Sequence, residues 1–77
     1  MNLPQAYEAI RKINKPDRDF IEEIVRIAIS DEFKMNKSQT RMVFDMAWPA
    51  RKKSLEFFFV ECSRMAGFAA DIIDFNY

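Results

Sequence analysis

Leu3, Ala6, Tyr7, Ile10 and Ile13 recur three and four positions apart, the spacing that lines one face of a helix. Asn2 is placed to cap that helix, Pro4 is tolerated in its opening turn, and Pro16 sets its end near Asn14. A second helix is predicted over residues 17–33. Asp17, Asp19, Glu22 and Glu23 suit the positive end of its dipole, and Phe20, Ile21, Ile24, Val25, Ile27, Ala28 and Ile29 form a broad apolar set. Such a helix belongs at the centre of a core. The β-branched run Ile24–Ile29 invites a strand reading, but its apolar residues do not alternate.

Asn36 or Ser38 caps a short third helix over 38–47, in which only Thr40, Arg41 and Asp45 are polar after Gln39. That composition predicts near-complete enclosure. Pro49 disfavours helical geometry at Trp48 yet suits the first turn of a new helix, so a break falls there and a fourth helix is expected over 50–74. Gly67 is its weak point. The pattern as a whole predicts an all-α protein, a single domain built as a compact bundle of about four helices, the last the longest.

Phe57-Phe58-Phe59 falls inside that last helix, and three consecutive rings on a helix point in three directions. One packing surface cannot take them all. Leu55, Phe58, Cys62, Met65, Ala69 and Ile72 make one stripe, widened by Phe59, Ala66, Ala70 and Ile73; this is the expected core face. Phe57, Phe68 and Phe75 fall on a separate line, near Glu61 and Arg64. Either the bundle wraps the helix on two sides, or this second aromatic line is a contact surface for another chain.

The chain has 77 residues, eight of them Phe, one Gly, one Cys and no His. At this length the core is thin, and an aromatic chain without staples often gains the missing burial by oligomerising, which favours a homodimer. The single Cys62 excludes an internal disulfide and cysteine-based zinc spacing, and points to a reducing compartment, the cytoplasm. Residues 1–16 carry no apolar run resembling a signal peptide, and Met65–Ala70 is far short of the about 20 residues a membrane helix needs. No membrane partner is expected.

Twelve basic and twelve acidic residues cancel, but not locally. Residues 17–32 hold six acids against two bases, residues 34–53 six bases against Asp45, and residues 54–77 four acids against Arg64. Arg51, Lys52 and Lys53 would stand at the start of the fourth helix, where cations oppose the dipole. That mismatch favours an acidic partner, either the second helix or another chain.

Without His, acid–base work would fall to carboxylates, Lys or Tyr, and Cys62 lies on the apolar stripe with no base beside it, so it reads as a packing residue. The pairs Glu22-Glu23, Asp31-Glu32 and Asp71/Asp74 lack calcium-loop spacing. No catalytic residue, metal ligand or cofactor is assigned. Trp48 with Phe44 reads as a core corner, and Met35, Met42 and Met46 as gap fillers.

Two kinds of partner follow. The leading reading is a small non-catalytic regulator or adaptor that binds and modulates a larger protein, a class that includes phage- and mobile-element-encoded factors. Its interface would be Phe57, Phe68, Phe75 and Arg64, with Arg51, Lys52 and Lys53 steering an acidic surface. The alternative is a nucleic-acid binder resembling helix-turn-helix in outline, in which Lys37, Gln39 and Arg41 open a recognition helix. Zero net charge and the apolar run Met42, Val43, Phe44, Met46 and Ala47 weigh against it. A structural subunit of a larger assembly ranks third.

Overall fold

The computed structural model describes the backbone of residues 1–75 and the side chains of residues 1–71. Among the described residues there are four α-helices, α1 (Leu3–Arg11), α2 (Arg18–Phe33), α3 (Lys37–Ala47) and α4 (Leu55–Phe75), a 3-10 helix Trp48–Lys52, and no strand. The β-branched run Ile24–Ile29 is helical.

Side-chain caps fix where most of these helices start. Asn2 and Gln5 form a reciprocal box: the Gln5 N–H donates to Asn2 Oδ1 at 2.9 Å and the Asn2 N–H donates to Gln5 Oε1 at 2.8 Å. Asn36 and Gln39 repeat it at 2.9 Å in both directions at the head of α3, so Asn36, not Ser38, is the cap. Asp17 accepts the Phe20 N–H at 2.8 Å. Each such cap satisfies N–H groups that a helix start leaves without a partner, and is worth about 1 kcal/mol. Leu3, the first residue of α1, instead donates its N–H across the fold to Glu32 Oε1 at 2.8 Å, tying α1 to the end of α2.

Two boundaries differ from the sequence expectation. α1 stops at Arg11 rather than near Asn14, leaving Ile13 exposed. Pro16 disfavours right-handed helix at Lys15, which takes φ 57°, and the turn consumes the residues between. α4 starts at Leu55 rather than at 50, because the chain leaves α3 directly into the tighter 3-10 path through Pro49. The Lys53 N–H closes on the Ala50 carbonyl at 3.1 Å, and Ser54 Oγ then accepts the Phe57 N–H at 2.9 Å to open α4. Gly67 does not break α4, which is continuous through it.

α2 packs against the other three α-helices, as its broad apolar face requires. Val25 and Ile29 from α2, Ile10 from α1, Val43 and Phe44 from α3, and Phe58 and Cys62 from α4 fill the centre. Phe58 sits edge-on to Phe44, Trp48 and Phe59, and Phe59 carries the contact on to Tyr7 of α1. The enclosure expected for α3 is not found: it buries Thr40, Val43, Phe44 and Ala47, while Met42 and Met46 are more than half exposed. The two methionines stand four apart, about 100° round from the buried residues that follow them, on the side of α3 left to solvent. Thr40, the one buried polar residue among those described, is satisfied by donating to the Lys37 carbonyl at 2.9 Å and accepting from Arg26 Nε at 3.3 Å.

Candidate functional site

α4 has 21 residues against 11 in α3, and its buried stripe is the one its spacing predicts. Phe58, Phe59, Cys62 and Ala66 are buried and Leu55, Met65, Ala69 and Ala70 are partly so; the side chains of Ile72 and Ile73 lie outside the described residues. Phe57 stands about half a turn round from Ala66, and Phe68 lies within about 20° of Phe57. Phe68 is open at 70% exposure, whereas Phe57 at 37% is partly covered. The bundle therefore leaves this face open at Phe68. Phe75, assigned to the same line, has its side chain outside the described residues.

Between the two rings lie Glu61 and Arg64, joined by a bond from Arg64 Nη2 to Glu61 Oε2 at 2.8 Å. That bond raises the Arg64 guanidinium above its already high ordinary value, so it is charged at every accessible pH. Lys53 Nζ sits 4.8 Å from the centroid of Phe57, a cation held over an aromatic face. Val60, 54% exposed and three residues after Phe57, widens the apolar line, and Asp71 extends its polar end. Both were absent from the residues expected there, although the three-residue step from Phe57 to Val60 already places them side by side on a helix.

The basic trio does not stand in the first turn of α4 as expected. Arg51 and Lys52 end the 3-10 helix and Lys53 follows it, so the opposition to the α4 dipole is relieved by two to four residues of distance. Arg51 is committed within the chain: its guanidinium lies 4.3 Å from the Trp48 ring and Nη1 donates to the Trp48 carbonyl at 3.0 Å. Arg18 approaches the same ring at 5.4 Å and Phe44 at 5.3 Å, and Phe44 stacks on Trp48 at 5.1 Å. The Trp48 corner is thus a packed, cation-lined joint. Lys52 is exposed and Lys53 is drawn to Phe57.

The α2–α3 connection has the helix-turn-helix outline, a three-residue turn whose first residue, Lys34, takes φ 58°. Its chemistry is less suited to nucleic acid than its outline. The Gln39 side chain is occupied in closing the α3 cap, and Arg41, well exposed, lies 3.9 Å from Asp45. Lys37 and Arg26 share an open groove of about 650 Å³ with Asp19, Glu22 and Glu23 of α2; Glu22 is paired with Arg18 and Arg26 at 2.8 and 2.9 Å, so Asp19 and Glu23 are the carboxylates left to oppose an approaching phosphate.

Burial pushes the Cys62 thiol up to about 12, with the negative charge of Glu61 adding to the effect, so it stays a neutral packing group at physiological pH. Among the described residues no helix is long and apolar enough to cross a membrane. Comparison with protein-family models, curated proteins and solved structures finds no match.

Proposed function

We propose that this chain is a small non-catalytic regulatory or adaptor protein that acts by protein–protein contact through the outer face of α4. The observation that carries this reading is the 70% exposure of Phe68 in line with Phe57 on the longest helix. Burying a Phe side chain is worth about 1.5 to 3 kcal/mol, and aromatic residues surrounded by charge are the common anchors of protein interfaces. Arg64 and Lys53 give that apolar line, widened by Val60, a polar, positively charged rim, the anatomy of a non-obligate contact. The charge-neutral Cys62 supports a role in packing over one in chemistry.

A photoreactive benzoylphenylalanine in place of Phe68, introduced in the organism of origin, tests this reading. The expected result is a covalent adduct on irradiation from position 68 and none from position 12, where Lys12 is exposed at the end of α1. No adduct from position 68 overturns the reading. Nucleic acid is the second reading, on the strength of the α2–turn–α3 outline; retention of mixed-sequence DNA at low salt, lost on Arg41→Ala or Lys37→Ala, would establish it instead.

A further inference from the structure

The outer face of α4 carries a charge order that is complementary to its own reverse. Lys53 just ahead of the helix, then Phe57, Glu61, Arg64, Phe68 and Asp71 along it, read cation, ring, anion, cation, ring, anion; all are exposed except Glu61, whose side chain is 16% exposed at the edge of the face. Phe57, Glu61, Arg64, Phe68 and Asp71 are separated by four, three, four and three residues, the alternation that keeps a seam on one side of a helix facing a partner. Turned end for end, the same face reads anion, ring, cation, anion, ring, cation. Every charge then meets its opposite and every ring meets a ring.

We propose that the occupant of this face is a second copy of the chain, with the two α4 helices antiparallel about a two-fold axis between Glu61 and Arg64. This rests on the contact reading above and names its partner. In that register Phe57 of one protomer lies opposite Phe68 of the other, Glu61 opposite Arg64, and Lys53 beside Asp71, each pair occurring twice as an isologous interface demands. Other arrangements are penalised by the same charges. A parallel pair sets Glu61 against Glu61 and Arg64 against Arg64. An antiparallel pair slipped by one heptad toward the C-terminus sets Glu61 against Asp71, and one slipped the other way sets Phe57 against Glu61. Like charges brought opposite one another are what exclude wrong registers at natural interfaces.

The arrangement has a specific test in two charge-reversed chains. Glu61→Arg makes both central positions basic and Arg64→Glu makes both acidic, so each variant repels its own copy and attracts the other. In sedimentation equilibrium the wild type is expected at twice its 9.1 kDa chain mass, each variant alone to dissociate at least tenfold more readily, and the equimolar mixture to recover a dimer. Variants that self-associate as tightly as wild type, or a mixture no tighter than its components, overturn the proposal. Cysteine pairs check the register independently of those charges, with the buried Cys62 leaving the exposed sites uncontested. Phe57→Cys mixed with Phe68→Cys should give a mixed disulfide under oxidation, and neither alone should dimerise, because like positions would sit about 16 Å apart along the helices. Self-linked Phe57→Cys overturns the antiparallel register. A wild type that stays monomeric at about 100 µM, well above the micromolar affinities of ordinary interfaces, overturns the second copy as occupant. An adduct from position 68 to a different protein would then leave the contact reading standing.

Discussion

Phe58 meets Phe44 edge to face across the α3–α4 contact, with ring centroids 5.7 Å apart at 84°. Both rings are fully buried, whereas Phe57, one residue earlier, faces outward. Phe58→Ala should therefore cost about 3 to 5 kcal/mol, enough to unfold much of a domain this small. Phe68→Ser, on the exposed line, should change the stability of the isolated chain by less than about 0.5 kcal/mol. Thermal melts followed by circular dichroism at low concentration distinguish the two.

Gly67 lies inside α4 with right-handed geometry, and a Cβ built on it would meet only Phe33 Cε1 at 4.0 Å, an ordinary contact. Nothing in the packing requires glycine there. Gly67→Ala should stabilise the fold by up to about 1 kcal/mol through helix propensity and a less free unfolded chain. The melting temperature should rise by roughly 4 to 8 °C.

Cys62 makes stability fall with alkaline pH. Its folded pKa is raised to about 12 by burial and then by Glu61, so between the ordinary thiol value near 9 and that figure the unfolded chain loses a proton that the folded chain keeps. Stability due to this group is complete below pH 9 and declines above it, by roughly 1.4 kcal/mol per pH unit. Denaturant titrations from pH 8 to 10.5 should show that slope in wild type and its loss in Cys62→Ala. The variant itself should cost about 1 to 2 kcal/mol at neutral pH.

Arg18 ties three elements together. It bonds Glu22 within α2 at 2.8 Å, lies 3.4 Å from Asp45 of α3, and faces the rings of Phe44 and Trp48. Arg18→Ala should cost about 1 kcal/mol, since a half-exposed cation over an aromatic face is worth about 0.5 to 1 kcal/mol and the stem packs as well. It should also shift Trp48 emission to the red. Arg51→Ala removes the cation over the same ring from an exposed site, and should cost under about 1 kcal/mol.

Helices, the caps Asn2 and Asn36, and the division of α4 into two aromatic lines are legible in the sequence, because they depend on local spacing: Asn2 just ahead of Leu3, Asn36 ahead of the α3 run, and Phe58, Cys62 and Ala66 against Phe57 and Phe68. What is not legible depends on neighbours. The apolar content of α3 could not reveal that Met42 and Met46 would be left to solvent. Pro49 signals a break, but not that the chain would continue as a 3-10 turn and postpone α4 to the Ser54 cap. Arg51 reads as a free cation until Trp48 is seen beneath it, and the charge order on α4 acquires meaning only once Phe68 is known to be uncovered.

The claim that the outer face of α4 joins two copies of the chain is met most directly by sedimentation velocity of the wild type beside Phe57→Ser/Phe68→Ser at equal concentration, with helicity recorded on the same samples. The account predicts a wild type near twice the 9.1 kDa chain mass and a double variant that is monomeric and equally helical. A double variant that associates as the wild type does, or one that loses its helicity along with its association, would contradict it.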